Sequence, residues 1–171
     1  MIQQPKTKEW YVLVTANRAE KKVGAGLSES GIENFVPVHL KLRQWHDRKK
    51  WVEMPLFNNY IFVCTDQKSR SEVFKTLGVI RFLTIGGNLC KLNVSEIERI
   101  KLLCSYSGRV EIEKGILKKG DELEIMEGHF IGHKGILIKE FNSDKLKISI
   151  DSLQCFAVVE LSRSNIRKAL V

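Results

Sequence analysis

Histidine and cysteine are the residues of this chain best suited to chemistry, and their spacing argues against catalysis. His129 and His133 are four apart, a metal-ligand spacing on a helix, but they lie in the glycine-rich run GDELEIMEGHFIGHKG, residues 120–135. Glycine favours turning backbone over helix, and His39 and His46 lie far away in sequence, so no metal site is expected. Cys64, Cys90, Cys104 and Cys155 contain no Cys-x-x-Cys pair. They read as reduced thiols, three of them in apolar contexts typical of a core. Cys155, or a histidine near Gly128–Gly135, would need a base and an orienting carboxylate to act as a catalyst, and the sequence places neither. The chain is read as a non-enzyme with no cofactor and no metal.

Binding is the chemistry that remains. The segment Lys41–Trp51, KLRQWHDRKKW, carries five basic residues and one acid. Arg43, Arg48, Lys49 and Lys50 can neutralise phosphates, and Trp45 and Trp51 among them can stack on unpaired bases. A charge run alone is better explained by a solvated loop. The charge is nonetheless unevenly distributed: residues 1–108 hold 17 Lys/Arg against 10 Asp/Glu, whereas residues 109–171 hold 11 against 10. The whole chain is +8, and a positive field concentrated in one part attracts polyanions.

A chain of 171 residues, 43% apolar, has room for one domain or two small ones with proper cores. No apolar run approaches the roughly 20 residues that cross a bilayer. The opening MIQQPKTKEW lacks a signal-peptide core, so a cytoplasmic protein without membrane contact is expected.

The elements that must position these residues fall into two groups. WYVLV (Trp10–Val14) reads as a buried strand. A helix follows, with Asn17 as its cap and Glu20 three residues on as a first capping box, Ala19, Val23 and Leu27 on one face, and Gly31 as its stop. A strand over roughly Asn34–Arg43 contains Pro37, which suits a sheet edge. The basic segment is a hairpin-like excursion, and PLFNNYIFV (Pro55–Val63) is a strand entered through an Asn-Asn turn. Ser69 and Glu72 read as a capping box for a helix with Val73, Phe74 and Leu77 on its apolar face, ending at Gly78. A strand near Val79–Ile85 follows, then Gly86-Gly87. A third box, Ser95 and Glu98, opens a helix with Ile97, Ile100 and Leu103 inside. This order predicts an α+β domain, helices packed on an antiparallel sheet, over residues 1–108.

Ser105–Gly115 has little periodicity, so a linker is placed at residues 109–116. Residues 117–171 then read as short strands: Glu122–Met126, Gly135–Phe141, Lys145–Ile150 and Cys155–Leu161. Strict alternation over Lys145–Ile150 after the turn Asn142-Ser143-Asp144 supports a small all-β barrel.

With both groups in view, Gly120, Asp121, Gly128, Phe130, Gly132 and Gly135 resemble the loop of a KOW motif. The first group, from WYVLV to PLFNNYIFV, resembles the N-terminal domain of NusG-type transcription factors, and the second the KOW barrel that follows it. The ending AVVELSRSNIRKAL (Ala157–Leu170) is similar to that family's last strand and tail. The resemblance implies a protein that binds RNA polymerase through the clamp helices of its largest subunit and reduces pausing. Trp10, Phe57, Tyr60 and Phe82 match the apolar concavity that receives those helices, with Phe35 and Phe62 as supports. Arg43, Trp45, Arg48, Lys49, Lys50 and Trp51 match an excursion near upstream or non-template DNA. Arg18, Lys21 and Lys22 are weaker candidates for nucleic acid. Ser69, Arg70 and Ser71 match a place where some members touch the opposite jaw of the polymerase cleft.

Two departures separate this chain from the general factors. Asn58-Asn59-Tyr60 stands where those have Pro-Gly-Tyr, and Ser152-Leu153-Gln154-Cys155 stands where they carry an aromatic-Gly-Arg run that helps bind Rho or a ribosomal protein. Phe130 also follows His129 where proline is common. The wording is closer to specialised antiterminators, RfaH-like or encoded with capsular polysaccharide clusters (UpxY-like). A monomeric regulator acting on particular operons is therefore expected, with DNA and nascent RNA as further partners. The alternatives are a general NusG-type factor coupling polymerase to Rho or the ribosome, and a ribosome-associated RNA-binding protein. Alternation over Lys145–Ile150 and the β-branched Val158-Val159 argue against refolding of the barrel into helices.

Overall fold

A computed structural model describes residues 7–116, 123–124, 129–139 and 144–161. The chain divides into two units, one of Met1–Pro37 with Phe57–Ile97, the other of Val38–Leu56 with Glu98–Val171.

In the first unit, β1 (Glu9–Thr15) is the central strand of an antiparallel sheet ordered β2–β5–β1–β6 (Asn34–Phe35, Tyr60–Thr65, Glu9–Thr15, Val79–Phe82). A short strand, Lys91–Leu92, pairs with the start of β1 through Trp10 and Tyr11. Between them, Thr84–Ile85 and Asn88–Leu89 form a separate hairpin; these three short strands are β7 to β9 in chain order with Lys91–Leu92 last. Helix α1 (Glu20–Glu29) turns Val23 and Leu27 onto one face of the sheet, where Tyr11, Leu13, Ile61, Val63, Val73 and Phe82 complete a core. Packing there is close enough that a Cβ on Gly24 would collide with the Val36 side chain.

Local signals differ from expectation at all three helix starts. Asn17 does not cap α1. Ala16 accepts from the Ala19 N–H at 3.1 Å and Arg18 takes φ 58°, so a tight turn occupies the place where a cap would sit. Ser69 and Glu72 form no box either: Ser69–Lys75 is a 3-10 helix whose first amides, Lys68 and Ser69, both donate to Asp66 Oδ1 at 2.9 Å. With about three residues per turn, it buries Val73 and leaves Phe74 exposed; Leu77, past its end at Lys75, is exposed as well, against the apolar face expected of both. For α2 (Val94–Ser105) the box lies two residues earlier than Ser95–Glu98. Glu96 N–H donates to Asn93 Oδ1 at 2.8 Å, and Asn93 N–H donates back to Glu96 Oε2 at 3.0 Å. Glu98 instead pairs with Lys101.

In the second unit, the basic excursion is a regular hairpin, β3 (Val38–Gln44) paired with β4 (Lys49–Pro55). The single strand expected over Asn34–Arg43 is two strands, since β2 ends at Phe35 and β3 begins at Val38, on either side of Pro37. A five-stranded antiparallel sheet follows, ordered β10–β14–β13–β12–β11: Val110–Lys114, Cys155–Leu161, Asp144–Ile150, Lys134–Lys139 and Leu123–Glu124. β10 lies inside the stretch read as a linker and pairs with β14 from Val110↔Val159 to Lys114↔Cys155. Leu146, Ile148 and Ile150 are buried from β13, as their alternation requires.

Candidate functional site

Cross-strand register decides which of the expected binding residues can meet. Residues directly opposite share a sheet face and successive residues alternate. Trp10 pairs with Cys64, Val12 with Phe62 and Val14 with Tyr60, so Trp10, Phe62 and Tyr60 occupy one face. Trp10 and Tyr60 are half-buried, and lie roughly 13 Å apart along the strands at 3.3 Å per residue. Phe62 is fully buried between their rungs, stacked on Phe35 at 6.0 Å and met edge-on by Phe57 at 5.9 Å. Phe57 is itself only 6% exposed. Phe82 stands apart. It pairs with Leu13, which puts it on the opposite, helix-covered face, edge-on to Tyr11 at 5.7 Å and to Phe74 at 5.5 Å. The structure thus gathers Trp10, Phe57 and Tyr60 with Phe35 and Phe62, and places Phe82 on the other side of the sheet.

The turn before Tyr60 is fixed from a distance. Glu20, at the first position of α1, is buried and accepts the Asn59 N–H at 2.7 Å, while Asn59 C=O accepts from Thr15 N–H at 2.8 Å. Asn59 takes φ 63°, a conformation asparagine tolerates better than most residues. Sequence reading missed Glu20; its place three residues after Asn17 suggested only a local helix signal.

At the edge of the same sheet, Glu9 accepts from Tyr11 O–H at 2.7 Å and from Lys91 at 2.8 Å. The Lys91 and Tyr11 hydrogen bonds hold the Glu9 carboxyl below the usual carboxylate range. Arg70 lies over the Tyr11 ring at 5.1 Å, so this member of the Ser69–Arg70–Ser71 group is tied to the core edge.

The hairpin sorts its residues the same way. Arg43 pairs with Lys50 and Lys41 with Val52, giving a basic face. Leu40 with Glu53, Gln44 with Lys49, and Trp51 lie on the other. Trp45 and Trp51 are 57% and 55% exposed. At the tip, Trp45 N–H donates to the Arg48 carbonyl at 2.8 Å, and Arg48 lies 4.0 Å from Asp47 with both side chains in solvent. At the hairpin base, burial together with the charge of Lys41 pushes His39 below its ordinary value.

Of the glycine-run residues, Gly120, Asp121 and Gly128 lie outside the described residues. Phe130 is buried against the Tyr106 ring at 5.1 Å, so it serves the core of the second unit. Gly132 has φ 77°, and a Cβ on Gly135 would sit 2.7 Å from the Lys147 carbonyl, a β12–β13 approach only glycine permits. His129 Nε2 lies 3.1 Å from the Leu102 carbonyl and therefore carries the proton it donates there. His133 is pushed below its ordinary value by burial and by Arg99. Among the described residues, no three His, Cys, Asp or Glu side chains are placed to hold a metal. Burial pushes the Cys90 thiol up to about 11 and the Cys104 thiol to about 12, far from a reactive thiolate. No helix among the described residues is long and apolar enough to cross a membrane.

A family model described as "Transcription termination factor nusG" matches residues 8–101, more than half the chain. Two curated relatives, "Transcription termination/antitermination protein NusG" of Streptococcus pyogenes serotypes M3 and M1, are each 27% identical over 168 residues. Each likeness covers 90% of this chain and 93% of the relative. The structure solved as "Domain interaction in Thermotoga maritima NusG" superposes with a TM-score of 0.52 at 22% identity, over 95% of this chain and 98% of that one. That match establishes a shared fold.

Proposed function

This chain belongs to the NusG family of transcription termination and antitermination factors, and we propose that it is a specialised antiterminator that binds RNA polymerase and suppresses pausing or termination on particular operons, those of polysaccharide biosynthesis. Residues 1–108 form its polymerase-binding domain and residues 117–171 a KOW barrel, with β10 of the intervening stretch 109–116 joined to the sheet of the second unit through β14. The observation that carries this reading is the aromatic row on one sheet face, Trp10 and Tyr60 half-buried beside the Phe35–Phe62–Phe57 cluster. Half-buried aromatic side chains backed by a rigid core suit the anchors of a protein interface. Their partner is the coiled coil of the polymerase clamp helices. The basic face of the β3–β4 hairpin contacts DNA or nascent RNA. Action is by binding alone, and the protein works as a monomer in the cytoplasm.

A general factor coupling polymerase to Rho or the ribosome is the second reading, favoured by a likeness to NusG proteins that runs nearly the length of the chain. The two separate at Ser152–Cys155, where this chain lacks the aromatic-Gly-Arg run.

The deciding experiment is binding of the full-length protein to a purified elongation complex, with Trp10→Ala and Tyr60→Ala alongside. Affinity lost in both variants, with their folds intact, supports the polymerase reading; undiminished binding in both overturns the proposed face. Transcription past a terminator, assayed with and without Rho, then divides specialised from general action.

A further inference from the structure

We propose that the outer edge of β6 is a second docking site, for an extended segment of a partner protein that alternates apolar and acidic residues. It is distinct from the Trp10–Tyr60 face and does not depend on the polymerase reading.

β6 is the last strand of its sheet among the described residues, with β1 on one side only. Leu83 N–H donates to the Val12 carbonyl at 2.8 Å. By the alternation of an antiparallel ladder, the Phe82 amide therefore points away from β1. In β6 and the segment leading into it, the first unit exposes three large apolar side chains: Leu77 is 80% exposed, Ile80 56% and Phe74 49%. Phe74 lies edge-on over Phe82, so it borders β6 directly. Phe74 and Leu77 were expected on the buried face of one helix; the 3-10 helix instead ends at Lys75, and both side chains face solvent. Unpaired strand edges flanked by apolar side chains add a peptide strand readily.

The edge also defines its occupant. Phe82 lies on the helix-covered face and Arg81, paired with Val14, on the opposite one. Arg81 is exposed and forms no ion pair among the described residues; its Nη1 donates to the Phe82 carbonyl at 3.3 Å. A strand added here has the same alternation, its apolar residues towards Phe74 and its intervening residues towards Arg81, where a carboxylate is complementary. A second copy of this chain is disfavoured by charge, since two copies would bring Arg81 towards Arg81 in a chain of net charge +8.

The test is amide chemical-shift mapping on the full-length protein, titrated with an eight-residue peptide alternating Val and Glu, and with its Val-Lys counterpart. Saturable shifts at Ile80, Arg81 and Phe82 are expected with the Glu peptide, about fivefold weaker with the Lys peptide. Arg81→Glu should invert that preference, and Leu77→Ser with Ile80→Ser, both surface changes, should abolish the shifts while leaving the spectrum folded. Shifts absent at millimolar peptide, or confined to other residues, overturn the proposal. Shifts at β6 that follow protein concentration without peptide overturn it in favour of self-pairing. Retained elongation-complex binding by the Leu77/Ile80 variant keeps this outcome separate from the fate of the Trp10–Tyr60 face.

Discussion

The carboxylate of Glu20 accepts the backbone N–H of Asn59 at 2.7 Å, tying the first turn of α1 to the turn that launches Tyr60, 39 residues away. A buried acceptor removed from a backbone donor costs the desolvation of that donor, about 1–3 kcal/mol. Glu20→Ala should therefore lower stability by that amount in urea unfolding, and Glu20→Gln, which keeps an acceptor oxygen, by less. Since the same bond sets the Asn59 conformation, Glu20→Ala should also weaken binding at Tyr60 more than its stability loss explains.

Phe57 and Tyr60 should behave differently when truncated. Phe57 is buried on Phe62, so Phe57→Ala should cost about 3–5 kcal/mol of stability. Tyr60 is half-buried, and Tyr60→Ala should cost about 1 kcal/mol while losing polymerase affinity. Parallel unfolding and binding curves check this; equal stability losses would refute the division.

Charge reversal on the hairpin should depend on the face. Lys50 shares the basic face with Arg43 and Lys41, whereas Lys49 lies with Gln44 and Leu40 on the other. Lys50→Glu should weaken binding to DNA or RNA more than Lys49→Glu. It should also reduce the slope of log affinity against log salt by about 1 for each phosphate no longer neutralised. Titrations of both variants at several salt concentrations provide the comparison.

Gln154 ends the turn before β14 with φ 49° and ψ 45°. Left-handed backbone strains a residue with a Cβ, and glycine relieves it. Gln154→Gly should stabilise the protein by about 0.5–1 kcal/mol, read as a rise of a few degrees in Tm. A fall in Tm would show that the Gln154 side chain contributes more than its backbone costs.

Stability should depend on pH through His133. Burial and Arg99 lower its folded value below the ordinary 6.5, so the unfolded chain takes up the proton first. The histidine contribution is fully present above about pH 6.5 and is lost as pH falls through the folded value. Burial moves His39 in the same direction. His133→Asn should flatten the acid limb of a stability–pH profile, and a limb unchanged in both His133→Asn and His39→Asn would reject this origin.

Much of the fold is legible wherever the signal is local and strong. Cys155–Leu161 and the alternation ending at Ile150 are strands as read, and Gly31 stops α1 with φ 71°. The helix starts were not legible, because Asp66 and Asn93 satisfy the first amides of their helices from positions that equally plausible Ser neighbours concealed, and α1 begins with no side-chain cap. Phe74 and Leu77 misled for a related reason. Apolar residues spaced for an α-helix are buried only if an α-helix forms, and the segment winds as a 3-10 helix instead.

What the sequence determined alone is the kind of surface this protein offers: cations interleaved with tryptophan in one hairpin, and aromatic residues gathered around one strand pair. Composition and short-range pattern suffice for that. Which aromatics act together was decided by the tertiary structure. Trp10, Phe62 and Tyr60 share a face and Phe82 does not, because a side chain's face follows from strand register, and register is set by partners distant in sequence. The same pairing left β6 at the sheet edge with Leu77 and Ile80 beside it, a surface that no local pattern in the chain discloses.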